Sequence, residues 1–207
     1  MRTRLLQVLS LVALAAGCAS APATSGGDAA RGDIFSAAGP SEFILVSARG
    51  ELVSADVEPE RVVGPDVNLG LYDQGKPGRP GDERAGQAIR GIAFNRAVSV
   101  ATTGQRAAGV VGAMPLELTV TRAEAGLRAR GLVAGALSDY RLDERQLTGV
   151  IGRCSYDLAR AGRVYEGSRS CGGQPHRVTV LVPRALSAPS SWGDAALATA
   201  LGLLLGA

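Results

Sequence analysis

From Glu42 onward, glycine interrupts the apolar runs of this chain every few residues, and this pattern restricts the fold more than any other feature. The 207 residues include 28 glycines, whereas aromatic residues make up only 4%. Within the runs, apolar side chains occupy every second position, as in Leu116, Leu118 and Val120. A period of two is typical of strands with one buried face, so the sequence predicts short strands joined by tight turns.

Thirteen segments are predicted as strands from this pattern. They are 43–48, 51–57, 67–72, 89–94, 97–101, 107–111, 116–121, 127–133, 137–142, 147–151, 154–160, 164–170 and 177–182. We therefore expect a mainly β fold, in which an antiparallel meander curls into a barrel or a sandwich, followed by a short C-terminal helix. The irregular stretch 73–87 has four glycines and two prolines. A loop of this length is usually functional or disordered, and its composition favours disorder.

Three of the predicted hairpins share a register in which a bulky residue faces glycine on the neighbouring strand. The turns that set this register are centred on 123–126, 143–146 and 162–163. A bulky side chain can cover the bare glycine, and glycine permits the bends of a curling sheet. The predicted pairs are Leu118 with Gly131, Tyr140 with Gly149, and Leu158 with Gly167.

The first 18 residues predict export. Two arginines precede a largely apolar stretch of twelve residues, which is too short to span a bilayer and is typical of a secretory signal. The Ala-Ala-Gly-Cys ending at Cys18 resembles the lipobox of bacterial lipoproteins, although Ala15 stands where that family usually has leucine. The resemblance implies cleavage before Cys18, a diacylglycerol on its thiol, and a fatty acid such as palmitate on the new amino group. The alternative is an ordinary secretory signal, cleaved near Ala19 or Ala21.

The resemblance also implies a location and a partner. Two or three acyl chains hold a protein stably on a membrane, so acylated Cys18 is the predicted membrane contact. Ala19, in place of the aspartate that favours inner-membrane retention in the family, implies the outer membrane of the cell envelope. The predicted organisation is a signal peptide (1–17), lipidated Cys18 with a flexible tether (18–40), a β domain (41–188) and an apolar C-terminal helix (189–207).

The two remaining cysteines predict a disulfide, because disulfides form and persist in exported proteins. Cys154 and Cys171 lie symmetrically about the Gly162-Arg163 turn, which makes them a directly opposed, non-hydrogen-bonded pair. The expected Cα separation of about 4.5 Å falls in the range of disulfides. In this register Cys154, Tyr156 and Leu158 share one face of the strand, which we predict to be the core face.

The basic charge of the chain belongs largely to its signal. The net charge is +3, but cleavage before Cys18 removes Arg2 and Arg4 and leaves 20 basic residues against 19 acidic ones. Eight arginines recur along the predicted sheet between Arg128 and Arg169, but acids interleave with them and few aromatics are available to stack on bases. We expect a solvated face of alternating charges and no nucleic-acid partner.

Few residues suggest chemistry. His176 is the only histidine, and the chain has no G-x-S-x-G, H-E-x-x-H or Walker A motif. We interpret His176 as a solvated turn residue and predict no catalytic residue, metal ligand or cofactor. The predicted function is a non-enzymatic structural or binding role for a lipid-anchored envelope protein. The alternative is a carrier that holds a small apolar ligand or lipid inside the β domain, and a hydrolase using His176 is the weaker alternative.

The C-terminal residues 194–207 predict a helix. Asp194 is a candidate N-cap, and alanine and leucine favour helix in the largely apolar run of 13 residues that follows. This run is too short to span a membrane. Three roles stay open: docking over an open end of the sheet, lying on the membrane surface, or contacting a partner protein.

Overall fold

The computed structural model describes residues 34–73, 86–123, 126–187 and 192–207. In these ranges the fold is mainly antiparallel β, a closed barrel of 14 strands, with a short C-terminal helix (Asp194–Leu205). Every strand pairs with its sequence neighbours, and β14 closes the barrel on β1. The strands are β1 (Glu42–Ser47), β2 (Leu52–Val57), β3 (Arg61–Gly64), β4 (Val67–Asp73), β5 (Gly86–Ala93), β6 (Arg96–Thr103), β7 (Arg106–Val111), β8 (Met114–Ala123), β9 (Gly126–Val133), β10 (Ala136–Asp143), β11 (Gln146–Ile151), β12 (Cys154–Ala161), β13 (Val164–Ser170) and β14 (His176–Leu181).

The barrel has two distinct ends. Because consecutive antiparallel strands alternate in direction, the turns after the odd-numbered strands all lie at one end. This end contains the Cys154–Cys171 disulfide, and we call it the disulfide end. The turns after the even-numbered strands lie at the opposite end, which we call the loop end.

The C-terminal helix fills the lumen of the barrel. It packs against β5, β6, β7, β8 and β9, and every residue from Ala195 to Leu205 is buried. A helix that is apolar on all sides must be surrounded by apolar groups, and the inward-facing side chains of the strands supply them. The helix starts at the loop end, where the buried Trp192 donates its indole N–H to the carbonyl of Glu58 on the β2–β3 turn. It ends at the disulfide end, about 18 Å away at 1.5 Å per residue.

The predicted cross-strand register is confirmed. Leu118 faces Gly131, Tyr140 faces Gly149, and Leu158 faces Gly167. The Cys154–Cys171 disulfide is formed, with a Cα separation of 4.0 Å. The inward face of β12 is buried at Cys154, Tyr156 and Leu158, whereas the residues between them are exposed.

Two short elements escaped prediction. The four-residue strand β3 lies between Pro59 and Pro65, so no run of apolar residues was long enough to indicate it. The helix Arg184–Ser187 is a single turn directly after Pro183. The prediction that Asp194 is the N-cap of the C-terminal helix is wrong, because Gly193 is the N-cap and Asp194 is the first helical residue.

The predicted tether is too long at its C-terminal boundary. Residues 34–37 form a helical turn, and the buried Ala38 packs with Ile44, Val46 and Leu181 on the outside of the barrel. The signal peptide, Cys18 and the rest of the tether lie outside the described residues, as do residues 74–85 of the predicted loop. In the part of the chain that is described, no helix has both the length and the apolar character needed to cross a membrane.

Candidate functional site

Polar side chains inside the barrel hold the C-terminal helix at both ends. At the loop end, Arg122 forms an ion pair with Asp194 at 2.6 Å. Deeper in the lumen, the Tyr140 hydroxyl donates a hydrogen bond of 2.5 Å to the carbonyl of Ala198. Near the disulfide end, the Tyr156 hydroxyl donates to the carbonyl of Leu205. The helix is thus fixed by specific hydrogen bonds in addition to its apolar contacts.

Burial of these phenols changes their titration. Desolvation disfavours the phenolate, so burial raises the pKa of Tyr140 well above its usual range. Burial likewise raises the pKa of Tyr156 to about 12, although the positive charge of Arg169 opposes this rise. The two hydroxyls therefore stay protonated, and able to donate, throughout the neutral range.

A buried arginine closes one side of the disulfide end. Arg169 faces inward from β13, and only 4% of its side chain is exposed. Its guanidinium binds the carboxylate of Glu51 at 2.9 Å and donates to the carbonyl of Ala207 at 2.5 Å. It also lies over the ring of Tyr156, with 5.6 Å between the guanidinium carbon and the ring centroid. Arg169 therefore departs from the predicted face of solvated charges.

The interpretation of His176 as a solvated turn residue is wrong. His176 is the first residue of β14, pairs with Arg169 across the sheet, and has only 9% of its side chain exposed. Its Nε2 lies 3.7 Å from a Glu51 carboxylate oxygen, and neither ring nitrogen has a hydrogen-bond partner. Within the described residues, no serine hydroxyl therefore bonds to this ring, and the hydrolase alternative stays an untested prediction.

The outward-facing charges between β9 and β10 form surface ion pairs. Asp139 binds Arg128 at 3.1 Å and Arg130 at 2.9 Å. The hydrogen bond from Arg128 is the main cause that lowers the pKa of the Asp139 carboxyl. Asp143 forms an ion pair with Arg141 at 2.8 Å and also accepts hydrogen bonds from the backbone N–H groups of Arg145 and Gln146, which fixes the β10–β11 turn. These acids have structural partners in the sheet and its turns.

A cavity of about 610 Å³ opens at the disulfide end, between the end of the C-terminal helix and the turns of four consecutive hairpins. This volume is in the range of about 300–1,000 Å³ that is common for small-molecule sites. The four turns join β5 to β6, β7 to β8, β9 to β10 and β11 to β12. Apolar side chains form most of its wall, and the main ones are Phe94, Val111, Met114, Val133 and Leu203.

Two strained turns border this cavity. Among the described residues, the non-glycine residues with positive φ are Phe94 (50°), Asn95 (60°) and Ala134 (49°). Phe94 and Ala134 both line the cavity. Bulky residues rarely adopt positive φ, and such strain concentrates at ligand-binding and catalytic sites. The sequence carried a signal that we missed: a Phe-Asn pair stands in a two-residue turn where Asn-Gly is favoured.

Among the described residues, the ionisable side chains on the cavity wall belong to two arginines. Arg96 begins β6 and Arg153 lies in the β11–β12 turn, so they stand on different sides of the opening. Both are exposed, and within the described ranges neither guanidinium has a hydrogen-bond or ion-pair partner. The cavity is therefore apolar with a cationic edge.

Comparison with models of protein families, with curated proteins and with solved structures finds no match to this chain. In the described ranges, no group of three or more histidine, cysteine, aspartate or glutamate side chains is placed to hold a metal ion. The chemistry of the site rests on its apolar walls and its two arginines.

Proposed function

We propose that this chain is a lipid-anchored protein of the bacterial cell envelope, placed at the outer membrane, whose β-barrel has a non-catalytic binding role. The cavity at the disulfide end is the observation on which this role rests, because it combines apolar walls with unpaired positive charge. The lipobox-like residues 15–18 support the anchor. The Cys154–Cys171 disulfide supports an oxidising compartment outside the cytoplasm.

Metabolic labelling with a fatty acid tests the anchor. We expect the wild-type chain to incorporate the label and to fractionate with the outer membrane, and we expect Cys18→Ser to lose the label. The matched control is the double variant Cys154→Ser with Cys171→Ser, which should keep the label because it retains Cys18. An unlabelled wild type, or a labelled Cys18→Ser variant, would show that Cys18 is not the anchor.

A carrier role is the second candidate, and the same cavity favours it. The C-terminal helix occupies the lumen, so a carried ligand has to sit at the disulfide end and not along the barrel axis. The test is extraction of the protein purified from its native membrane, followed by mass spectrometry of the extract. A carrier should yield a lipid or apolar molecule in a fixed ratio to protein. A binding protein without cargo should yield only the bulk membrane lipids in variable amounts.

A further inference from the structure

We propose that the cavity at the disulfide end binds an apolar chain that carries an anionic group. The chain would lie against Phe94, Met114 and Leu203, and the anion would be held by Arg96 or Arg153. This assignment rests on the proposed binding role and adds the chemical class of the ligand.

The walls of the cavity select the apolar part. Val111 and Val133 are buried in the barrel wall beneath the opening, and Met114 is 46% exposed at its edge. Water in contact with the exposed parts of Met114 and Phe94 gains few hydrogen bonds, whereas a hydrocarbon chain removes both its own and their apolar surface from water. Phe94 holds a backbone conformation that opposes a bulky side chain, and its ring is half-buried against the cavity as a result. In this proposal the strained Phe94 places its ring where an apolar chain can displace water from it.

The edge of the cavity selects the charge. Among the described residues no acidic side chain lines it, so Arg96 and Arg153 face an incoming group without a competing side-chain carboxylate. In contrast, Arg128 and Arg130 on the outer surface both form ion pairs with Asp139. An arginine without a partner forms short, charge-assisted hydrogen bonds with a carboxylate or a phosphate. A neutral ligand forms only weaker hydrogen bonds with these two groups, and a cationic ligand is repelled by them.

The C-terminal helix limits how far a ligand enters. Gly202 lies on the wall of the cavity, and a Cβ built on it would be 3.1 Å from the Tyr140 hydroxyl oxygen and 3.2 Å from a methyl carbon of Val133. The helix and the barrel wall are thus in close contact at this level. We therefore place the ligand at the end of the barrel, above Gly202, and not in the lumen.

Met114 makes the test specific, because the chain has two methionines and the other is Met1, in the predicted signal peptide. The full chain, purified with its own N-terminal processing and held in nanodiscs of phosphatidylcholine, is labelled with ¹³C at the methionine methyl groups. Its spectrum is recorded during titration with dodecanoate, lysophosphatidylglycerol, dodecanol or dodecyltrimethylammonium. We expect a saturable shift of the Met114 signal with the anionic amphiphiles, and we expect the neutral and cationic chains to bind at least about tenfold more weakly.

The arginine variants decide the role of charge. Arg96→Gln combined with Arg153→Gln should weaken anionic binding by at least about tenfold, which corresponds to about 1.4 kcal/mol. The matched control Arg106→Gln removes an exposed arginine at the loop end and should leave the affinity unchanged. A response to dodecanoate assigns the ligand to free fatty acids, and a response to the lysolipid alone assigns it to lipid headgroups.

Two results overturn the proposal in distinguishable ways. An equal response to dodecanol, or an unchanged affinity in the double variant, rejects the anionic class while leaving the cavity as an apolar binding site. A Met114 signal that no amphiphile moves rejects the ligand class and also the binding role under which it was proposed. In either case, fatty-acid labelling of Cys18 tests separately whether this residue anchors the protein to the membrane.

Discussion

At the scale of single residues, glycine decides where neighbouring strands can approach. Gly167 lies opposite Leu158, and a Cβ built on it would be 2.1 Å from the carbonyl oxygen of Asp157. Gly131 and Gly149 meet the backbone of the preceding strand in the same way. The sequence allowed this register to be predicted because turn positions fix the pairing, and glycine is the residue that permits such close approach.

Gly167→Ala should therefore lower the free energy of unfolding by about 2 kcal/mol or more, because the added methyl group collides with backbone that cannot move aside. The matched control is Gly173→Ala, where no atom lies within 4 Å of the added carbon and a change within about 0.5 kcal/mol is expected. Urea unfolding followed by circular dichroism measures both. Equal losses in the two variants would refute the role of close approach.

Tyr156 predicts a dependence on alkaline pH. Its pKa rises from an ordinary value of 10.0 to about 12 in the folded protein, so the folded state favours the neutral phenol. This contribution to stability is complete below pH 10 and is lost as the pH rises from 10 through 12. The difference in unfolding free energy between wild type and Tyr156→Phe should shrink over this interval, as measured by urea denaturation at fixed pH values. A constant difference up to pH 12 would show that the phenol is not buried.

At the scale of elements, the C-terminal helix and its apolar character were predicted from the sequence, but its place in the lumen was not. Of the three roles left open, docking over an open end comes nearest, and the helix instead runs through the barrel. A hairpin reveals its register in the sequence, whereas a helix does not reveal which cavity accepts it. The absence of any polar face from Ala195 to Leu205 was the available signal, because such a helix has to be buried on every side.

Leu201→Asp should lower the free energy of unfolding by about 4 kcal/mol or more, because it places an unpaired charge in the lumen. Leu137→Asp is the matched control, since Leu137 is 78% exposed on the outside of β10 and should change stability by about 0.5 kcal/mol at most. The fluorescence of Trp192, the only tryptophan, reports unfolding because it lies buried next to the start of the helix. A tolerated aspartate at Leu201 would argue against burial of the helix.

At the scale of the whole molecule, the closed barrel and its helix form one core. The mainly β class was predicted from alternation and turn spacing, and the disulfide from the symmetry of Cys154 and Cys171 about one turn. The choice between barrel and sandwich depended on the pairing of β1 with β14, which joins opposite ends of the domain and leaves no local signal. The cavity escaped prediction for a similar reason, because four separate hairpins and the helix build it together.

The central claim is that the C-terminal helix is a permanent part of this core, so that ligands bind in the cavity at the disulfide end and not in the lumen. Native-state hydrogen exchange tests it most directly, by comparing the helical amides from Ala198 to Leu205 with those of β8 and β9, against which the helix packs. We predict equal protection, with all of these amides exchanging only through global unfolding. Helical amides that exchange about a hundredfold faster than those of β8 and β9 would contradict the claim, because the helix would then leave the lumen while the barrel stays folded.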